Sequence, residues 1–527
     1  MSILGIVFSV AALLVALFGA NALLLSCLYL RRQPPSFICH PTPADWPAVT
    51  VQLPVYNEMH VVKRLIDAVA HLDYPHDRLQ IQVLDDSTDE TTRLAEARAR
   101  HHRARGLDIE VIHRADRRGF KAGALAHGLE TAHGTFVAVF DADFYPAADF
   151  LRRTIPPLIE DSRLAFVQTR WGYLNADYSA LTRAQTIALD GHFVVEHRGR
   201  NQNGLLINFN GTAGVWRRAA IEDAGGWQSD TLTEDLDLSF RAQLAGWQAL
   251  YLPDVVAPAE LPPQVAAFRR QQARWATGAA QCLFKLGGPL VSGRLHPHPG
   301  PLPEREREKA PPSLAGRGRG GGSNSRLSWP ARLEGLLHLS VWIAHPMSLV
   351  LLLLTPLMLV GRIPMTFNLT VFWLMALGPI CAYTLSQRHL YDDWRSRMLY
   401  MPVLALMGTG LALSNTIAIV QGLAGRRMPF RRTPKFRLED RTDRWVSSRY
   451  ALPFQWITLG ELALAAYALA TTAVALSVGH YFSVPFLLLY VGGYGLLSVQ
   501  GIRDAWLGWR THPRAGRSPA MADSKID

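Results

Sequence analysis

Four short clusters in this sequence combine residue types and spacings that could handle a phosphorylated substrate. In Val83-Leu84-Asp85-Asp86-Ser87-Thr88-Asp89 an apolar run ends in two adjacent acids and then in hydroxyl residues. A helix start explains part of this, with Ser87 or Thr88 as the cap and Asp89 and Glu90 facing the helix dipole. It leaves Asp85 and Asp86 at the carboxyl end of a strand, where α/β sheets bind their ligands. In Phe140-Asp141-Ala142-Asp143 the acids stand at i and i+2 after the apolar residues 136–139, so an extended chain would point both to one side. Two close carboxylates repel unless a cation joins them, and Mg²⁺ or Mn²⁺ suits carboxylates shared with phosphate oxygens. A solvated turn is the competing reading. Leu232-Thr233-Glu234-Asp235 reads either as a helix start capped by Thr233 or as the source of a general base, which a hydroxyl nucleophile needs before it attacks. Gln271-Gln272-Ala273-Arg274-Trp275 joins a guanidinium fork for phosphate oxygens to a flat apolar ring on which a sugar can stack. Arg and Trp also mark helices at a membrane surface, which is the alternative there.

These side chains need a frame that brings distant segments to one edge. Residues 49–53, 80–84, 109–113, 136–140 and 164–169 are short apolar runs of the kind that form buried strands, and 58–72, 89–105 and 121–132 read as helical. That alternation predicts an α/β domain, a mostly parallel sheet with helices on both faces and ligands at the carboxyl ends of its strands. The sequence has no G-x-x-x-x-G-K-[ST] loop and no H-E-x-x-H, so phosphate binding of the P-loop kind and that zinc chemistry are excluded. The four cysteines, Cys27, Cys39, Cys282 and Cys381, form no C-x-x-C pair, which argues against a disulfide framework or a zinc site and suits a reducing compartment.

The flanks have a different texture. Of 527 residues, 49% are apolar and only 18% charged, below the roughly 25% of an ordinary soluble domain. Residues 3–30 form an uncharged run long enough to cross the ~30 Å hydrocarbon core of a bilayer as a helix. It lacks the basic start of a signal peptide, and Arg31-Arg32 behind it put the next domain on the cytoplasmic side. Further apolar runs occupy 333–360, 365–385, 401–423, 456–478 and 482–497. Three full crossings between 333 and 423 would separate Arg31-Arg32 from the basic stretch 426–437, so one run is expected to be interfacial or re-entrant, and Pro346 and Pro356 make the first a candidate. The net charge of +11 comes from basic residues beside apolar runs, which makes membrane lipid an expected partner and nucleic acid not one. Residues 296–327, dense in Pro, Gly, Arg and Glu without apolar periodicity, predict a disordered insertion. The expected plan is thus a transmembrane helix (1–30), a linker (31–48), the α/β domain (49–294), the insertion (295–328), transmembrane and interfacial helices (329–425), a cytoplasmic loop (426–452), further transmembrane helices (453–505) and a basic tail (506–527).

In their order, Asp85-Asp86, Asp141/Asp143, Thr233-Glu234-Asp235 and Gln271/Arg274/Trp275 resemble the D, D-x-D, T-E-D, Q-x-x-R-W set of the processive family 2 glycosyltransferases. That family comprises cellulose synthase and its cellulose-synthase-like, glucomannan-synthase-like relatives. The opening strand with Pro54, Tyr56 and Glu58 and the segment Gly119-Phe120-Lys121-Ala122-Gly123 are similar as well. Phe430-Arg431-Arg432-Thr433-Pro434-Lys435 resembles the family's F-x-V-T-x-K gating loop, with Arg432 in place of Val. The resemblance spans about residues 49–435 outside the insertion. It implies a GT-A type fold set between transmembrane helices, in a protein expected in a bacterial inner membrane. It implies inverting transfer of a hexose, glucose or mannose, from a UDP- or GDP-sugar to a growing β-linked glycan acceptor, with Mg²⁺ or Mn²⁺ as cofactor. Carried over residue by residue, it implies Pro54, Tyr56, Glu58, Asp85 and Asp86 around the nucleotide, and Lys121, Gln271 and Arg274 near the diphosphate. Asp141 and Asp143 would hold diphosphate and metal. Asp235, beside Glu234, would be the general base, Trp275 would stack on the acceptor, and Thr433 and Lys435 would close over the donor. Two other readings stay open: a non-processive enzyme making a glycolipid, and a transporter with a nucleotide-binding regulatory domain. The latter needs ionisable residues in its spans, and the runs are nearly free of them, with exceptions such as Glu334, His338 and Glu461. The sugar, the linkage and any partner subunit are left open.

Overall fold

The structure is a computed structural model that describes residues 3–32, 43–293, 327–361, 369–424, 432–446, 448 and 450–511. Residue 294, residues 295–326 of the expected insertion, 512–527 of the tail, most of the linker, and Phe430 and Arg431 of the loop motif lie outside the described residues. After the apolar helix α1 (Ile3–Arg31) come β1 (Val49–Val55), α2 (Val62–Ala70), β2 (Leu79–Asp85), α3 (Thr91–Arg103), β3 (Asp108–His113), α4 (Phe120–Glu130), β4 (Phe136–Val139), α5 (Phe150–Glu160) and β5 (Leu164–Tyr173). There follow α6 (Ala180–Asp190), a π-helical stretch (Gly191–His197), α7 (Arg198–Gln202), β6 (Gly214–Arg217), α8 (Arg218–Asp223), α9 (Glu234–Leu244), β7 (Gln248–Ala259) and the long α10 (Val265–Ser292).

The strands form one sheet in the order β3-β2-β1-β4-β6-β5-β7. β1 to β4 are parallel, β6 is antiparallel to β4 and β5, and β7 is parallel to β5. The expected mostly parallel sheet is present, with one reversed strand. β1 is an interior strand buried on both faces. Val49, Val51 and Leu53 pack with Val62, Leu65, Ile66 and Val69 of α2, each such side chain contributing about 1.5–3 kcal/mol on burial. Thr50 and Gln52 point the other way and are buried too, but their polar groups are matched across the strands: the Thr50 hydroxyl donates to Gln80 Oε1 at 2.8 Å and Gln52 Nε2 to Gln82 Oε1 at 3.1 Å. Paired in this way, the Thr50 hydroxyl and the Gln52 amide N–H avoid the penalty of burial without a partner, whereas Gln52 Oε1 takes no hydrogen bond among the described residues.

β6 and β7 were not anticipated. β6 has only four residues, and Pro253 and Pro258 in β7 speak against a strand. β7 tolerates them because it is the edge strand, with a ladder on one side only. The helix start after β2 also differs from expectation. Asp89, not Ser87 or Thr88, accepts from the Thr91 backbone N–H (2.9 Å), while the Ser87 hydroxyl accepts from the Asn57 N–H (2.8 Å) and ties β2 to the end of β1.

Among the described residues, five helices are long and apolar enough to cross a membrane: Ile3–Arg31, Trp329–Leu359, Trp394–Leu423, Ile457–Ser477 and Tyr481–Thr511. A further helix, Leu369–Leu390, packs along α1. Contact is close because both carry glycine at the crossing: a Cβ on Gly19 would lie 2.3 Å from the Met375 carbonyl oxygen, and one on Gly378 2.0 Å from that of Gly19. The element Trp394–Leu423 meets the α/β domain at both ends. Near its start Arg397 donates to Gln387 (2.8 Å) and Thr186 (3.4 Å), and near its end the Thr277 hydroxyl of α10 donates to the Ala418 carbonyl (3.1 Å). Acids of the apolar helices tie to arginines of the domain. Glu334 accepts from Arg200 Nε at 2.6 Å, and Glu461 accepts from Arg269 of α10.

Candidate active site

The carboxyl ends of β1, β2 and β4 open into a cleft of about 150 Å³ that α9, α10 and residues 432–435 close from the other side. Its walls include Pro54, Tyr56, Glu58, Asp86, Lys121, Asp141, Asp143, Glu234, Asp235, Gln271, Arg274, Trp275, Thr433 and Lys435. Of the residues singled out above, Asp85 alone is not on the wall. It is fully buried behind it, where Oδ2 accepts from Thr92 Oγ1 (2.6 Å) and faces His113 Nδ1 (2.7 Å), and Oδ1 accepts from the Ser87 N–H (3.1 Å). Asp86 is on the wall and held rigid by Arg114, whose Nε and terminal nitrogen donate to its two oxygens at 2.8 and 2.6 Å. The Arg117 guanidinium lies 3.3 Å from the centre of the Tyr56 ring and forms a flat platform beside it.

The two acids of Asp141-Ala142-Asp143 do not share a strand face. β4 ends at Val139, and the Phe144 N–H closes a turn on the Asp141 carbonyl (3.0 Å). The i and i+2 alternation of extended chain therefore does not apply, and each carboxylate takes its own lysine. Lys121 Nζ is 2.6 Å from Asp141 Oδ1, and Lys435 Nζ is 2.6 Å from Asp143 Oδ2. Lys121 also donates to the Gly211 carbonyl (2.8 Å) and stands 3.7 Å from Glu234 Oε1. Burial works against its ammonium, but Asp141 and Glu234 more than offset that and its pKa is raised.

Thr233 does not cap α9; its hydroxyl faces Cys282 Sγ at 3.6 Å. Glu234 and Asp235 form the first turn of the helix, pointed at the cleft. Burial, and then the neighbouring charge of Glu234, push the Asp235 carboxyl up to about 7, with Lys121 and Arg274 offsetting only part of it. Room for this carboxyl depends on Gly211. With φ at +78°, a Cβ there would sit 2.8 Å from Asp235 Oδ2 and 3.4 Å from Lys121 Nζ, so any side chain would meet both strain and a clash. A carboxyl with a pKa near neutrality, beside a cation-lined cleft, is a candidate proton acceptor for a weak nucleophile.

Residues 47–278 match the model of the family described as "Glycosyltransferase like family 2". They form a family 2 glycosyltransferase domain. Over 247 residues the chain is 46% identical to Glucomannan 4-beta-mannosyltransferase 2 of Arabidopsis thaliana, covering 46% of each chain. Over 275 residues it is 45% identical to Glucomannan 4-beta-mannosyltransferase 1 of Oryza sativa subsp. japonica, covering 49% of this chain and 52% of that one. The chain thus spans about half the length of the relatives it matches. Among solved structures, mannosyltransferase PcManGT of Pyrobaculum calidifontis, in complex with GDP-Man and Mn²⁺, shares the GT-A fold at a TM-score of 0.50 and 22% identity, covering 80% of this chain and all (100%) of that one.

The glycosyltransferase domain is roofed by a strap that includes residues 432–446. Arg432 pairs with Glu58 at 2.6 Å and also donates to the Asn57 carbonyl, and Lys435 pairs with Asp143. Glu260, the residue after β7, accepts from the backbone N–H groups of Phe436 (2.9 Å) and Arg437 (2.8 Å). Burial raises Glu58 to about 7, with Arg432 partly offsetting it, and raises Glu260 likewise to about 7, with Lys435 partly offsetting it. On the other side the glycosyltransferase domain meets a second cavity of about 880 Å³, enclosed by α1 and the apolar helices. Trp171, Leu189, Asn210, Asp235, Gln271 and Trp275 line both spaces. Gly211, Asn210, Arg117 and Glu260 were missed from sequence. Only Glu260 carried a signal, an acid directly after a strand-like run, and the prolines of that run hid it.

Proposed function

We propose that the chain is a membrane-integral, inverting hexosyltransferase that moves mannose from GDP-mannose onto a growing β-1,4-linked glycan. The observation that carries this reading is Asp235, which stands where a cleft lined by lysines and carboxylates meets a large cavity among apolar helices. The choice of mannose and of the linkage is supported by the activity for which the two relatives are named, and that of the GDP donor by the ligand of the fold neighbour.

In this mechanism Asp235 removes the proton of the acceptor hydroxyl, whose oxygen attacks the anomeric carbon from the face opposite the nucleotide. The bond from that carbon to the diphosphate oxygen breaks, and an α-linked donor gives a β-linked product. Lys121 and Arg274 line the cleft, and their fixed charges would favour departure of the diphosphate. Trp275 offers its ring to the acceptor sugar. Asp141 and Asp143 suit a hard divalent cation: both are carboxylates, and each already carries a cationic stand-in, the ammonium of Lys121 or of Lys435. Among the described residues no group of three or more His, Cys, Asp or Glu could hold a metal, so the remaining ligands would be phosphate and water oxygens. A bound Mg²⁺ or Mn²⁺ would supply charge neutralisation of the donor diphosphate.

The larger cavity supports passage of product between the helices, with Phe8, Trp342, Tyr383 and Phe486 among its walls. The two-ended attachment of Trp394–Leu423 supports its lying along the membrane surface, rather than the run after Leu333. With two crossings before it, Arg31-Arg32 and the strap then share one side, the cytoplasmic one. Purified protein incubated with GDP-mannose, GDP-glucose and UDP-glucose, each with Mn²⁺, Mg²⁺ or chelator, tests the proposal. A β-mannanase-sensitive polymer with release of GDP, lost in chelator, is expected. Polymer from UDP-glucose only, or a single sugar on a lipid, would overturn it.

A further inference from the structure

We infer that Glu260 is the positioning residue that fastens the strap over the donor cleft and sets Lys435 at Asp143, an inference that rests on the donor site proposed above. All three of its polar groups are engaged in that task. Its carboxylate takes the backbone N–H groups of Phe436 and Arg437, at 2.9 and 2.8 Å. Its own N–H donates to Asp143 Oδ2 at 3.2 Å, and its carbonyl accepts from Lys435 Nζ at 3.4 Å. Glu260 is buried, with 3% of its surface exposed. Arg437 has a positive φ of 62°, a conformation that a non-glycine residue keeps only when its surroundings hold it. The two-point acceptor at Glu260 is such a hold. Phe436, Leu438 and Trp445 pack into a small apolar cluster against Tyr178 of the domain, whose hydroxyl donates to the Asp443 carbonyl at 3.1 Å, so the strap is packed in place where the clip aligns it rather than a loose chain.

Position in the chain gives the clip its reach. Glu260 stands between β7 and α10, five residues before the helix that carries Gln271, Arg274 and Trp275. One residue therefore joins the strap, the Asp141-Ala142-Asp143 turn and the acceptor-side helix. Donor entry requires Lys435 to leave Asp143 or to share it with the incoming diphosphate, and the clip lets the ammonium move while its backbone stays in place. A carboxylate is needed because two N–H groups converge on it. The amide of glutamine would accept from one and present its own N–H groups to the other.

Two measurements test this. In the full-length wild-type protein, hydrogen exchange of the Phe436 and Arg437 amides should be slow without ligand; free exchange at these two sites overturns the inference without any variant. In Glu260→Gln both amides should exchange faster, and affinity for GDP-mannose with Mn²⁺, by calorimetry, should fall about tenfold or more, the loss expected for hydrogen bonds to a buried charge. Turnover at saturating donor should fall much less, a split between KM and kcat that general unfolding would not give, and Glu260→Asp should restore part of the donor affinity. Unchanged exchange and unchanged donor affinity in Glu260→Gln overturn the inference. If the proposed donor itself is wrong, the wild type will not bind GDP-mannose, whereas the exchange results still report on the clip.

Discussion

The cleft and the cavity are neighbours built on opposite principles. The cleft, about 150 Å³, is walled by charges set against one another: Lys121 with Asp141, Lys435 with Asp143, Arg432 with Glu58. The cavity, about 880 Å³, is walled by apolar and aromatic side chains from α1 and the helices beyond the sheet. Its ionisable residues include His192, Glu196 and Arg200 of the domain and His338 and His345 of the apolar helices, and Arg200 ties Glu196 (3.3 Å) to Glu334 (2.6 Å). The contrast teaches where chemistry can occur. Fixed charges stabilise a leaving diphosphate only where they are held out of bulk water and in place, whereas a neutral polymer needs stacking surfaces and no strong anchor. Asp235 and Trp275 lie on the boundary, and each belongs to both spaces.

Substitutions on the two sides should separate accordingly. The largest effect is expected at the boundary. Asp235→Asn should lower turnover by about 10²–10⁴-fold, the usual worth of a general base, while GDP-mannose binding by calorimetry stays near wild type; wild-type turnover would remove Asp235 as the base. On the cavity side, Glu334→Ala leaves Arg200 with one acid fewer. Breaking such a buried pair should destabilise the protein by about 3–5 kcal/mol, read as a lower melting temperature, with turnover per folded molecule little changed. A smaller effect follows from pH. Because burial and Glu234 raise Asp235 to about 7, the base is protonated below that value. kcat/KM should therefore rise with pH through about 7 and fall about tenfold per unit on the acid side, with the apparent value belonging to the Glu234–Asp235 pair. A flat profile between pH 5.5 and 8 would contradict it. The smallest is Trp275→Ala, which should raise acceptor KM about 3- to 10-fold through lost stacking and leave donor affinity unchanged. Loss of donor binding instead would put Trp275 on the donor side and blur the contrast between the two spaces.

Much of this was legible in the sequence, because it depends on short-range pattern. Apolar runs of strand length located β1, β2 and β4, the last two ending in acids, and with them the edge at which the cleft opens, and the long uncharged runs located the apolar helices. Residue types identified the acids and cations of the cleft. What the sequence could not decide is which partner each charge takes, because the partners are brought together by the sheet and not by the chain. Asp85 and Asp86 are adjacent and similar, yet one is buried behind the wall and the other faces the cleft. Asp141 and Asp143 were expected on one face and instead separate in a turn toward Lys121 and Lys435, which are 20 and 292 residues away. Glu260 gained its clip only when a segment 176 residues later folded back over β7. Residue chemistry and local period are properties of neighbouring positions, whereas burial and pairing, which set a carboxyl's pKa and its role, arise only from packing between distant ones.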